Sequence, residues 1–119
     1  MYILLLGNRC YQVPNTPRRV MVDVAVIGAG QTKYGNHPLG LKAMWAEAAT
    51  NAFNSVDKNF EANLVDEAFI GSVAFGGAQL GNTAAILTEH SGMKGCSVRR
   101  VENACASSGF ALRDAMMAI

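Results

Sequence analysis

Cysteine is scarce: three among 119 residues, at positions 10, 96 and 105. So small and odd a set makes no disulfide framework, and reduced thiols suit a cytoplasmic protein. No two lie in a Cys-x-x-Cys pair, and the two histidines, His37 and His90, stand apart, so no structural zinc site is expected. Net charge is just as scarce. Ten Lys and Arg against nine Asp and Glu leave +1. That balance gives no basic face for nucleic acid or an anionic membrane, and neither is expected as a partner. No apolar run reaches the roughly 18 residues that span a bilayer. The opening Met1-Tyr2-Ile3-Leu4-Leu5-Leu6-Gly7 has no basic residue ahead of it, is short, and lacks a small-x-small cleavage site after it, so it does not read as a secretion signal.

What remains is ordinary globular composition, 50% hydrophobic and 16% charged, in a length that suits one domain with a real core. The segment from Asn8 to Arg19 carries Pro14, Pro17 and three arginines without helical or alternating period. Residues 1–20 therefore read as a poorly ordered extension, and residues 21–119 as the domain. Met21 directly precedes the first clean strand pattern, which makes it the expected natural start.

Val22, Val24, Val26 and Ile27 form a β-branched run closed by Gly28-Ala29-Gly30, the signature of a buried strand and a turn. After a Gly-, Asn- and Pro-containing loop, Leu41, Met44, Trp45, Ala48, Ala49, Ala52, Phe53 and Val56 recur at helical steps. Such a stripe packs on a sheet. A second strand is expected over Ala68–Phe75, interrupted by Gly71 and ended by Gly76-Gly77. A helix follows from the N-cap Asn82 to His90, with Gly92 where a left-handed residue is wanted. Val98–Ala104 reads as a third strand, and Ser107–Ile119 as a helix with Phe110, Ala111, Ala115 and Ile119 on one side. Alternation of strands and helices predicts an α/β class with a mostly parallel sheet and helices on its faces.

Two segments invite a chemical reading. Gly28-Ala29-Gly30-Gln31-Thr32-Lys33 begins like a dinucleotide fingerprint, but Lys33 stands where the third glycine belongs, and a loop follows instead of a helix. The acidic residue expected some 20 positions on is also missing, since Glu47 lies inside the amphipathic helix. A tight turn explains the glycines better. The second segment is Val101-Glu102-Asn103-Ala104-Cys105-Ala106-Ser107-Ser108-Gly109-Phe110-Ala111-Leu112. It sets Cys105 at a strand-to-helix junction among small neighbours. A first helical turn offers unpaired amides and a partial positive charge, which favour thiolate over thiol and can stabilise an oxyanion. Free cysteine more often only packs, and that inert reading holds for Cys10 and Cys96.

Asn103–Leu112 resembles the nucleophile segment of the thiolases. Val24–Gly35 is similar to that family's first strand and loop. Gln79-Leu80-Gly81-Asn82 and Ser91-Gly92-Met93-Lys94-Gly95 are similar to its next helix and turn. The resemblance runs in register over residues 21–119 and points to the sterol-carrier-like and archaeal acetyl-CoA acetyltransferase branch. It implies a thiolase-like fold, present here as a truncated N-terminal half, with Cys105 as the nucleophile that takes an acyl group from acyl-CoA. Coenzyme A thioesters would be substrates, no cofactor would be permanently bound, and the full-length enzyme would be a cytoplasmic homo-oligomer in lipid metabolism.

The family's activating histidine and its second cysteine or histidine lie in the other half, and neither His37 nor His90 stands in a matching motif. His90 reads as a helix C-terminal residue favoured by the dipole. The family's CoA-binding loop also lies beyond Ile119. The chain alone is therefore expected to be inactive or limited to slow thiol acylation, and poorly soluble or oligomeric. The alternatives are a β-ketoacyl synthase-like condensing enzyme, or a non-catalytic piece that acts only in assembly with a partner subunit.

Overall fold

The computed structural model describes residues 2–10, 22–56, 59–73 and 81–119, with side chains from Val24 onward. Its elements are β1 (Tyr2–Cys10), β2 (Val22–Gln31), α1 (Gly40–Asn54), a short 3-10 turn (Ala62–Leu64), β3 (Glu67–Gly71), α2 (Thr83–His90), β4 (Ser97–Val101) and α3 (Ser107–Ala118). The α/β class is as expected. The sheet is not.

In place of one mostly parallel sheet there are two strand pairs: β1–β2, antiparallel, and β3–β4, parallel. Residues 2–10, expected in a poorly ordered extension, form β1 and pair with β2 from Tyr2 opposite Gln31 to Cys10 opposite Val22. Pairing partner explains the difference. The run Ile3–Leu6 has too few residues to show a period, yet its unbranched and branched apolar residues suit a strand once a Val-rich neighbour supplies the ladder. Leu5 stands opposite Gly28 and Leu6 opposite Val26, so Ile27 is the extra residue of a β-bulge. Residues 11–21, with Pro14, Pro17 and Met21, lie outside the described residues.

The stripe on α1 buries Trp45, Ala48, Ala49 and Ala52, at steps of three, one and three. Two of those alanines decide how near the helix can come to β2. A Cβ on Gly30 would collide with the Ala48 carbonyl oxygen and the Ala52 amide nitrogen, and would lie 2.9 Å from the Ala52 Cα. Gly28-Ala29-Gly30 is thus not a turn but the last part of β2, which continues to Gln31. Gly30 is there because helix backbone lies against it. Polar bonds hold the same seam: Asn51 Nδ2 donates to the Gln31 carbonyl at 3.1 Å, and the Ala29 N–H donates to Ser55 Oγ at 2.8 Å.

Trp45, Ile70, Ala84, Leu87 and Met93 form the core, with Leu41, Phe53, Val65, Cys96 and Val98 packed around it. The indole N–H of Trp45 donates to Ser91 Oγ at 2.9 Å, joining α1 to the end of α2. Asn82 does occupy the N-cap of α2, but its side chain makes no capping bond. The far end is as expected: Gly92 has φ +79°, and the Met93 N–H reaches back to the Thr88 carbonyl at 3.1 Å. The strand expected over Ala68–Phe75 ends at Gly71, and its last part falls in residues 74–80, outside the described residues.

Burial is incomplete. No large side chain among the described residues is fully enclosed, while Val26 on β2 and Phe110, Met116 and Met117 on α3 are exposed. The radius of gyration is 15.7 Å, against about 13–14 Å for a compact domain of this length. No helix among the described residues is long and apolar enough to cross a membrane.

Among the described residues, one buried side-chain group is unsatisfied. Thr32, just past β2, is 3% exposed, and its Oγ1 has no hydrogen-bond partner. A buried hydroxyl in that state costs about 1–3 kcal/mol, whereas an apolar group of the same shape avoids the cost. Thr32→Val is therefore expected to leave stability unchanged or raise it, read as an equal or higher midpoint in urea. A loss of about 1 kcal/mol or more would show that the hydroxyl has a partner after all.

Candidate active site

The site begins where β3 and β4 end. Their parallel register sets Gly71 opposite Val101, and the Ser72 N–H donates to the Val101 carbonyl at 3.2 Å. Beyond Val101 the chain does not continue as a strand to Ala104, as its β-compatible residues suggested. It turns. The Ala106 N–H donates to the Asn103 carbonyl at 2.8 Å, and the Ser107 N–H to the Ala104 carbonyl at 3.2 Å. Ala104 itself has φ +43°, in the left-handed region. Alanine in that conformation costs on the order of 1–2 kcal/mol, so surrounding contacts must hold it there.

Two contacts do so. The Ser107 hydroxyl accepts the Asn103 N–H at 2.8 Å and donates to the Ala104 carbonyl at 2.7 Å. From the other side, α3 starts directly against β3. A Cβ built on Gly71 would lie 2.6 Å from the Ser108 Cα, 2.7 Å from the Ser108 N and 2.8 Å from the Ser107 carbonyl carbon. Only glycine admits that approach. In the sequence Gly71 reads as an interruption of a strand. A glycine inside a strand pattern also signals close backbone approach, and that was the available clue.

Cys105 sits on the outside of this elbow, exposed, two residues before α3. Its neighbours Ala104, Ala106, Ser108 and Gly109 are small and exposed, and a Cβ added at Gly109 would meet nothing within 4 Å. The sulfur is therefore open to a bulky reactant. The amides of Ala106 and Ser107 are committed to the turn. The first-turn amides left without an intrahelical acceptor are those of Ser108 and Gly109. The positive end of α3 is what the fold offers to a negative charge near the sulfur.

The other sequence candidates lie elsewhere. Cys96 precedes β4, at the opposite end of that strand from Cys105; it is half-buried in the core rim, and burial pushes its thiol above the ordinary range. His37 is occupied on both ring nitrogens, Nε2 with Glu47 at 3.2 Å and Nδ1 with the Leu39 N–H at 3.4 Å. His90 is the last residue of α2 and donates from Nδ1 to the Ile86 carbonyl at 2.8 Å. Neither ring is hydrogen-bonded to Cys105. Among the described residues, no three His, Cys, Asp or Glu side chains gather as metal ligands do.

Comparison with known proteins now bears on this geometry. The chain is 35% identical over 101 residues to the acetyl-CoA acetyltransferase of Methanothermobacter thermautotrophicus, covering 83% of this chain and 26% of that protein. It is 34% identical over 101 residues to the acetyl-CoA acetyltransferase of Methanocaldococcus jannaschii, covering 82% of this chain and 25% of that protein. The chain is a relative of the acetyl-CoA acetyltransferases. It spans about a quarter of the length of these curated relatives. No family model matches it. The resemblance of the chain to the thiolases is thereby borne out at the level of relatedness.

The packing of α3 on β3 generates a paired expectation. Gly71→Ala forces helix backbone off the strand and is expected to cost about 1–3 kcal/mol in urea denaturation, as overpacking does. Gly109→Ala, in open space on the same helix, is expected to be neutral or stabilising by up to about 1 kcal/mol. Equal effects at both positions would contradict the close approach.

Proposed function

We propose that Cys105 is the nucleophile of a thiolase-type acyltransferase and takes an acyl group from acyl-CoA as a thioester. The carrying observation is the exposed sulfur on a braced elbow at the start of α3, in the segment that resembles the thiolase nucleophile. The acetyl-CoA acetyltransferase names of both relatives support the same chemistry. A thiolase-like arrangement is the fold that this reading adopts, with the β3–β4 pair and α3 as its site-bearing part.

In the proposed step the Cys105 thiolate attacks the thioester carbonyl carbon. The carbonyl electrons move to oxygen, near the positive end of α3, and the oxyanion collapses to expel coenzyme A as its thiolate. A carbon–sulfur bond forms to Cys105 and another breaks to coenzyme A. Neither an oxidant nor a metal is involved, and coenzyme A enters as substrate.

Condensation with a second acyl-CoA needs a base for the α-carbon proton, and no histidine is hydrogen-bonded to Cys105 among the described residues. Positioned proton transfer contributes roughly 10²–10⁴-fold. We therefore assign these residues the acylation half of the reaction, as a part of a longer, cytoplasmic, homo-oligomeric enzyme. A purely assembling role is the second reading, favoured by the exposed Val26, Phe110 and Met117 side chains. A β-ketoacyl synthase-like role would use the same elbow, but the relatives' names favour the acetyltransferase.

Incubation of the 119-residue chain with acetyl-CoA, followed by intact and peptide mass spectrometry, tests the proposal. One acetyl group on Cys105, labile to hydroxylamine and absent from Cys105→Ser, is expected. Acetylation absent, or spread equally over Cys96 and Cys105, would leave the assembling role.

A further inference from the structure

We propose that Ser107 is the positioning residue for Cys105, its hydroxyl holding Ala104 in the left-handed conformation that presents the sulfur. The proposal rests on Cys105 as the nucleophile, but its test does not require acyl transfer. Ser107 is 4% exposed, and its hydroxyl uses both of its capacities on the two residues that precede the cysteine. One hydroxyl thus spans the Asn103 N–H and the Ala104 carbonyl. The Ala104 carbonyl and the Cys105 N–H share one rigid peptide plane, so pinning the first orients the second and the Cα that follows it.

Among the described residues, the Asn103 carbonyl is taken by the Ala106 N–H, and the Ala104 carbonyl accepts besides the hydroxyl only from Ser107's own N–H. Ser107 in turn cannot drift, because the following residue lies against Gly71. The restraint therefore runs from β3 through Ser108 and Ser107 to Ala104 and ends at Cys105. Without the hydroxyl, Ala104 relaxes toward the right-handed region, and Cys105 swings from the first turn of α3.

The test is a mutational cycle in the 119-residue chain, read as the second-order rate of iodoacetamide alkylation at Cys105, with circular dichroism to verify folding. Ser107→Ala is expected to slow alkylation by about fivefold, and Ser107→Thr, which keeps the hydroxyl, to restore most of the rate. Ala104→Gly alone is expected to change little. Combined with Ser107→Ala, it is expected to recover at least half of the lost rate, because glycine holds a positive φ without help. A structural role elsewhere would give no such recovery.

A folded Ser107→Ala chain that alkylates like the unaltered chain overturns the proposal, as does a double variant no faster than the single one. Should Ser107→Ala fail to fold, hydrogen exchange in the unaltered chain decides. Protection of the Asn103 amide by about tenfold or more over an unstructured amide supports the clamp, and free exchange overturns it. Failure of Cys105 to take an acetyl group would instead strike the proposed function and leave these outcomes readable.

Discussion

The start of α3 lies so close to β3 that no side-chain atom fits between Gly71 and Ser108. Much of the site follows from that contact. It fixes where the helix begins, and with it where the chain must leave β4. Five residues then separate Val101 at the end of β4 from Ser107 at the start of α3. Within that short turn Ala104 takes the left-handed conformation. Cys105 projects from the far side because the near side is filled by backbone.

Gly30 against α1 solves the same problem at the other strand pair. There the two alanines Ala48 and Ala52 provide the flat helix face, and the glycine provides the flat strand. The two contacts differ in consequence. At Gly30 the helix crosses mid-length and contributes packing and the polar bonds of Asn51 and Ser55. At Gly71 the helix meets the strand by its first turn, so that its unpaired amides and positive dipole end arrive at the sheet edge together with a cysteine.

Much of this was legible in the sequence where periodicity is long. Of the eight residues in the stripe, Trp45, Ala48, Ala49 and Ala52 are buried on α1, Leu41, Met44 and Phe53 are half-buried, and Val56 lies past the end of the helix. The helix at Ser107 and the left-handed Gly92 were also legible, because short polar residues and glycine mark helix ends chemically. Strand pairing was not. Partners in a sheet are distant in sequence, so neither the antiparallel β1–β2 pair nor the split into two sheets could be read from Ile3–Leu6 or Val22–Ile27. A Val-rich run next to Gly28 and Gly30 likewise suggested a turn, since the helix that lies against Gly30 begins ten residues after it. For the site, residue choice identified Cys105 but not its support. Ala104 carries no hint of a positive φ, and Ser107 reads as any helix-starting serine until its hydroxyl is seen between Asn103 and Ala104.

For acyl transfer, the folded elbow must make Cys105 a better nucleophile than its local sequence alone. The direct measurement is the alkylation rate of Cys105 by iodoacetamide at neutral pH, in the folded chain and in a free peptide of residues 101–109. Exposure on the braced turn, beside the first amides of α3, predicts a rate several-fold above the peptide's, about threefold or more. A rate equal to or below the peptide's would mean that the fold merely houses this sulfur, and the acyltransferase reading would fail with it.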